Sequence, residues 1–325
     1  MNDYLKNLII HIDKAIREIE FGNKPPNLYE PIQYILNLGG KRIRPLLCLL
    51  AYLLYHDDFK KALKPALGVE VFHNFTLLHD DIMDKAPLRR NHSTVHEKWN
   101  ENIAILSGDV MLVRVYDLLV QVEQGIIKEV ITRFNNCAVE VCEGQQFDMD
   151  FETMTKVTET EYVKMIKLKT AVLLGFSMEL GGLIAGAPNQ DIEHLREFGI
   201  NMGIGFQLMD DLLDVYAETE LFGKQVGGDI ISNKKTYLLI KALELADNDD
   251  YKELDAWIKI ENFNDEEKVN AVKAIYDRLG IEKLTREQIR YYFEKSLDEF
   301  NKINIPEDRK SDLMVLANYL MNREK

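Results

Sequence analysis

The sequence predicts an all-α protein, and three observations carry that expectation. The eight prolines stand at positions 25, 26, 31, 45, 65, 87, 188 and 306, so the intervals 88–187 and 189–305 contain none. Proline breaks helix interiors, so proline-free stretches of this length leave room for long helices. Apolar residues recur there at helical spacing. No segment alternates at period two, and neither Asn-Gly nor Asp-Gly, the strongest short hairpin signals, occurs.

Taken in order, residues 3–20 place Leu5, Leu8, Ile9, Ile12, Ile16 and Ile19 on one stripe, which predicts an amphipathic helix. Residues 66–84 and 190–217 carry the same period. Glycine, proline and polar clusters predict breaks at 22–26, 39–40, 55–58, 87–93, 181–189 and 223–233. The acidic stretch 247–267 reads as a loop and a solvated helix. About twelve to fourteen helices result. Neither a fixed repeat nor a linker composition stands out, so 1–325 is expected to be one domain.

The chain has 325 residues, with 40 Lys+Arg against 54 Asp+Glu and a net charge of −14. That balance argues against nucleic acid or an anionic membrane as the main partner. At first sight it also argues against a polyanionic small molecule. Cys48, Cys137 and Cys142 have neither metal nor redox spacing, which fits reduced thiols in a cytoplasmic protein. The charged N-terminal stretch is no signal peptide. The apolar run 46–55 is too short to span a bilayer. The run 171–188 is interrupted by Glu179 and reads as a buried helix with a turn, so stable membrane insertion is not expected.

Two aspartate clusters stand out: Asp80-Asp81-Ile82-Met83-Asp84 and Asp210-Asp211-Leu212-Leu213-Asp214. Residues i and i+4 share a helix face, so each cluster projects carboxylates together. Like charges in an apolar helix raise one another's pKa or need a counter-cation. Mg²⁺ takes hard oxygen ligands and binds one or two carboxylates plus substrate phosphates. One DDxxD alone also reads as a solvated acidic face. Two copies, each after an apolar run, favour a cage for Mg²⁺ and a diphosphate. Neither cluster has the ladder of an EF-hand.

Basic residues answer these carboxylates. In Gly39-Gly40-Lys41-Arg42-Ile43-Arg44-Pro45 the glycines permit close backbone approach, and Lys41 and Arg44 suit phosphate. The same turn also reads as a helix cap with solvated charges. It lacks the Walker A pattern. Arg89 and Arg90 follow Asp84 closely, where they either reach the cluster rim or salt-bridge to its aspartates. Lys169-Thr170 interrupts an apolar helix. Lys224, Lys234 and Lys235 follow the second cluster, in an order that suggests a phosphate lid. His73 shares a face with Asp80, and Gln207 shares one with Asp210 and Asp214.

With GGKRIRP, HNFTLLHDDIMD then RR, GQQFD, KT, GFQLMDDLLD and GK…GGDI…NKKT in this order, the sequence resembles the trans-isoprenyl diphosphate synthases, the farnesyl and geranylgeranyl diphosphate synthase group. The resemblance implies helices around a central substrate cavity, a homodimer and Mg²⁺. It implies that Asp80, Asp81 and Asp84, with Asp210, Asp211 and Asp214, bind the metal and the allylic diphosphate. Lys41, Arg44, His73 and Arg90 look like the isopentenyl diphosphate site. Arg89, Lys169, Thr170, Gln207, Lys224 and Lys234 look like allylic-substrate contacts, with Lys235 as the rival to Lys234. Asp80, Asp210, Lys169, Thr170 and Gln207 are implied nearest the chemistry.

The implied reaction ionises an allylic diphosphate (dimethylallyl, geranyl or farnesyl) and adds isopentenyl diphosphate. Product length in such enzymes follows the residues before the first motif. Phe75 lies five residues before Asp80, roughly 7.5 Å down the helix, and Thr76 lies four before it. The pattern resembles C20 synthases most, with C15 next. A longer-chain synthase and a silent regulatory subunit are the alternatives. The −14 then divides informatively. The six motif aspartates carry nearly half of it, and residues 244–325 hold 20 acids against 14 bases. The acidity becomes an expectation that diphosphate binding depends on metal.

Overall fold

A computed structural model of the chain describes residues 1–217 and 227–322. The helices are α1 (Asp3–Arg17), α2 (Pro26–Asn37), α3 (Ile43–Leu53), α4 (Lys60–Met83), the one-turn α5 (Val95–Lys98), α6 (Glu101–Leu119), α7 (Ile127–Thr153) and α8 (Glu159–Ile166). They continue with α9 (Val172–Ala185), α10 (Asn189–Tyr216), the one-turn α11 (Gly228–Ile231), α12 (Tyr237–Leu245), α13 (Asn248–Lys259), α14 (Asp265–Arg278), α15 (Ile281–Asn301) and α16 (Glu307–Met321). Setting the two single turns aside, fourteen helices lie among the described residues. The all-α expectation holds.

One small exception was invisible in the sequence. Leu88–Arg89 (β1) pairs antiparallel with His92–Ser93 (β2), in the register Leu88↔Ser93 and Arg89↔His92. The two-residue turn places Arg90 and Asn91 at φ 53 and 62. Positive φ at both positions is the type I′ hairpin geometry, made here without glycine.

The described chain forms two compact units. The first comprises Met1–Ala138, Leu173–Arg196 and Lys302–Leu316. The second comprises Val139–Val172, Glu197–Asn301 and Ala317–Lys325.

In the first unit, α1 begins on the Asn2 side chain, which accepts the Leu5 N–H at 2.9 Å. Such a cap contributes about 1 kcal/mol. Leu5, Leu8, Ile12 and Ile16 are buried along its inner face, as the periodicity predicts. Helix α3 is buried on nearly every side. Gly181 of α9 sits against it, where a Cβ would lie 2.3 Å from the Cys48 carbonyl oxygen. The break expected within 181–189 falls at 186–188; α9 first continues through Gly181 and Gly182 to Ala185, and Gly181 lets it touch α3 at backbone distance. Phe134 anchors an aromatic cluster with Phe72, Tyr116 and Phe176, at centroid distances of 5.1, 5.3 and 5.7 Å.

Residues Glu159–Ala185 form a continuous 27-residue helix, long and apolar enough to cross a membrane. However, 78% of its apolar window is buried within the protein. Its one interior acid, Glu179, is 4% exposed and pairs with Arg133 of α7. A core helix explains both facts without a bilayer. Between α8 and α9 the turn Lys167–Ala171 is a π-helix.

In the second unit, α10 packs through Gly205 against Phe293 of α15. The ring of Phe198 meets that of Phe300 at 5.1 Å.

Candidate functional site

Each unit carries one aspartate motif, and in each a basic residue acts on the middle aspartate: Arg89 on Asp81 and Lys234 on Asp211. In the first unit the motif ends α4. Asp84 is the C-cap, its N–H bonded to the Asp80 carbonyl at 2.9 Å. Asp81 is 2% exposed. Arg89 on β1 grips it, with Nε 2.7 and 2.9 Å from the two carboxylate oxygens and Nη2 at 2.7 Å. Burial raises the Asp81 pKa, and Arg89 works against that rise. The hairpin therefore brings Arg89 to the motif, by pairing with its middle aspartate.

Arg90, in the left-handed turn, donates to the Gly39 carbonyl. A Cβ on Gly40 would lie 3.0 Å from the Arg90 guanidinium. Gly40 thus admits the guanidinium of an arginine of the same protein. Arg44 Nη1 lies 3.1 Å from His73 Nε2. Arginine can only donate, so that nitrogen accepts. Burial first, then Arg44, Arg90, Arg89 and Arg42, depress the His73 pKa, which favours the neutral imidazole. Lys41 is exposed on the same turn.

Arg42 was not singled out by sequence reasoning, and it anchors the turn. It is 4% exposed and left-handed, at φ 51. Its guanidinium meets Asp13 at 2.8 Å, Glu70 at 2.6 Å and the Leu36 carbonyl at 2.8 Å. Burial alone would lower its pKa, but the two carboxylates outweigh burial. The three basic residues of GGKRIRP look alike in the sequence, yet Lys41 is exposed, Arg44 is half-buried and Arg42 is buried.

Phe75 lies between Phe72 at 5.6 Å and His79 at 4.6 Å. His79 fits because Gly108 of α6 has no side chain; a Cβ there would lie 2.3 Å from His79 Nε2. The Thr76 hydroxyl donates to the His73 carbonyl at 2.8 Å.

In the second unit the π turn is the centre of the arrangement. It presents Lys169 and Thr170, and π turns often mark functional positions. Two glycines hold it. A Cβ on Gly144 of α7 would lie 2.1 Å from the Lys169 nitrogen, and one on Gly203 of α10 would lie 2.7 Å from Ala171 Cα. Lys169 Nζ pairs with Asp148 at 2.6 Å. Burial alone would raise the Asp148 pKa, yet Lys234 and Lys169 bring it down. Asp148 lies in the GQQFD segment but was not named as a site residue.

Thr170 donates to Gln207 Oε1 at 3.1 Å, and Gln207 Nε2 donates to Asp211 at 3.1 Å. The Tyr162 hydroxyl, also not anticipated, donates to the other Asp211 oxygen. Burial, then Asp229, push the Asp211 pKa well above the usual carboxylate range. Tyr162, Lys234 and Gln207 oppose that rise. The Asp214 carboxylate accepts the Asp229 N–H at 2.9 Å and so caps α11. Lys234 acts electrostatically on Asp148 and Asp211, whereas Lys235 Nζ donates to the Glu152 carbonyl at 3.3 Å. Lys224 lies outside the described residues.

Both motifs therefore hold their middle aspartate inside the protein: Asp81 by Arg89, Asp211 by Tyr162 and Gln207. Among the described residues, no three His, Cys, Asp or Glu groups converge into a ready-made metal cage. The donors are nonetheless all carboxylate oxygens, one helical turn apart in each motif. That suits a hard cation completing its shell with water or phosphate oxygens.

A family model described as polyprenyl synthetase matches residues 25–276. The geranylgeranyl diphosphate synthase of Methanosarcina mazei is 36% identical over 326 residues, covering 99% of this chain and 98% of its own. The short chain isoprenyl diphosphate synthase of Methanocaldococcus jannaschii is also 36% identical, over 98% of this chain and 95% of its own. A crystal structure of a geranylgeranyl pyrophosphate synthase superposes with a TM-score of 0.92 at 43% identity, covering both chains completely. The geranylgeranyl pyrophosphate synthetase of Pyrococcus horikoshii Ot3 gives 0.90 at 32%, over 98% of this chain and 97% of that one.

Proposed function

We infer that this chain, which belongs to the polyprenyl synthetase family, is a short-chain trans-prenyltransferase that condenses isopentenyl diphosphate with an allylic diphosphate. The observation that carries the reading is the conjunction, in one chain, of two intact aspartate motifs, the first with Arg89 bonded to Asp81 and the second with the charge of Lys234 acting on Asp211. Similarity along the whole length to synthases of C20 and short-chain diphosphates supports it, and supports reading 1–325 as one synthase domain.

Asp80, Asp84, Asp210 and Asp214 are the proposed Mg²⁺ ligands, with Asp81 and Asp211 as their braces. The metal, when bound, neutralises diphosphate charge and makes it a better leaving group. Lys169 adds positive charge on the leaving diphosphate, and Lys234, with Lys224, binds the allylic substrate. Lys41, Arg44 and Arg90 bind the diphosphate of isopentenyl diphosphate, with neutral His73 beside Arg44. The allylic C–O bond breaks, leaving a carbocation. The Thr170 hydroxyl and Gln207 Oε1 offer oxygen dipoles to that cation, preorganised by the hydrogen bond between them. The isopentenyl double bond attacks it, and a proton passes to the released diphosphate.

Purified protein incubated with isopentenyl diphosphate and dimethylallyl, geranyl or farnesyl diphosphate is expected to yield a C20 product with Mg²⁺ and none in excess chelator. No diphosphate release with any primer would overturn the reading.

Phe75 is the proposed floor for the growing chain. The rings of Phe72 and His79 on either side support a fixed position for it. Phe75→Ala is expected to shift products beyond C20 on reversed-phase chromatography. An unchanged distribution would remove Phe75 from that role.

A homodimer and a cytoplasmic location complete the proposal. Exposed Ile105, Leu106, Val113 and Tyr116 along α6, with Val120 at its C-cap, support the first, because monomers seldom leave such a stripe in water. Three cysteines without a disulfide support the second.

A further inference from the structure

Lys268 on α14 takes no part in the chemistry above, yet it is 1% exposed. Its ammonium meets uncharged partners: the Ile231 carbonyl at 3.3 Å, Asn233 Oδ1 at 2.8 Å and the Phe263 ring at 4.1 Å. Burial lowers its pKa, and the charge of Asp265 only partly offsets that. Among the described residues it has no close carboxylate, and such a buried cation is costly, so the fold must gain something from its direction.

What Lys268 holds is a turn. Asn233 is left-handed, at φ 54, and its N–H bonds to the Ile230 carbonyl at 3.1 Å. Its amide is fixed at both ends, donating to the Ile258 carbonyl at 3.0 Å and accepting from Lys268. The next residue is Lys234. Its N–H bonds to the Asp229 carbonyl at 2.9 Å, and its charge reaches Asp148 and Asp211. The same helix also backs the start of this segment, since a Cβ on Gly227 would lie 2.5 Å from the Val269 side chain.

We propose that Lys268 is a positioning residue for Lys234, fixing the Asn233 turn from which the Lys234 side chain reaches toward Asp148 and Asp211. The proposal rests on the reading above that Lys234 meets the substrate diphosphate. Methionine at 268 keeps the apolar stem and removes the donors. The alternative is that Lys268 merely closes the end of α11, where a cation also meets a helix C-terminus favourably.

The test is a double-mutant cycle in the full chain, read as steady-state kinetics on the allylic diphosphate with Mg²⁺. Lys268→Met is expected to raise the allylic KM by about tenfold with little change in kcat, as a misaimed binding group should. In a Lys234→Ala background the same substitution is expected to change KM by less than about twofold, because coupled residues are not additive. Equal shifts in both backgrounds, or no shift from Lys268→Met, would overturn the proposal. A silent Lys234→Ala would overturn it together with the assignment of Lys234. An impaired Lys234→Ala with additive Lys268→Met would overturn the positioning role alone. Should Lys268→Met fail to fold, Asn233→Gly keeps the left-handed turn and deletes both side-chain bonds. It is expected to reproduce the tenfold KM shift, and a normal KM would count against the proposal.

Discussion

Replacing Asp80 with alanine is expected to lower kcat/KM by about a thousandfold and to leave the melting temperature almost unchanged. The loss is that of a group that meets charge developing in the transition state. Asp81→Ala is expected to behave in the opposite way. Its carboxylate is buried and doubly bonded to Arg89, so its removal strands a partly buried guanidinium. Breaking such a pair costs about 3 kcal/mol. Thermal denaturation and kinetics on the two variants check the contrast. A stable but inactive Asp81→Ala, with an unstable Asp80→Ala, would reverse the assignment of ligand and brace.

Gly144→Ala is expected to damage both stability and rate. The new methyl would lie 2.1 Å from the Lys169 nitrogen and 2.6 Å from the Leu168 carbonyl carbon. Both are backbone atoms in the π turn, so no side chain can swing aside. Overpacking of this kind costs about 3 kcal/mol. A displacement of the turn by about 1 Å also misplaces Lys169 and Thr170, which lowers kcat/KM about 100-fold. Gly125→Ala is the control, because nothing lies within 4 Å of its added Cβ. Wild-type melting and kinetics for Gly144→Ala would show that the π turn has slack.

Much of this arrangement was legible in the sequence, for reasons that can be named. Helical periodicity marked α1, most of α4 and all of α10, and clustered aspartates at one-turn spacing marked the motifs on the last two. What escaped notice depends on contacts between distant residues. The π turn at Lys169 requires Gly144 and Gly203, each more than twenty positions away. The hairpin at Arg90 and Asn91 uses residues that seldom take positive φ in tandem without glycine. Gly181 and Gly182 looked like a break, since a glycine pair reads alike whether it ends a helix or admits another. Arg42 could not be told from Lys41 and Arg44 until Glu70 and Asp13 were placed around it. The division into two units has no linker signature, because α7, α10 and α16 each contribute residues to both.

Among the described residues, five non-glycine residues adopt the left-handed backbone: Arg42, Lys85, Arg90, Asn91 and Asn233. Each such residue holds about 1 kcal/mol of strain. They fall in the turn before α3, just after the first motif, at the hairpin tip and immediately before Lys234. A screen for heat-resistant variants would therefore be drawn to glycine at these very positions. It would be selecting against the side chains that aim the charges, so thermostability and turnover are set in opposition at a few identifiable turns.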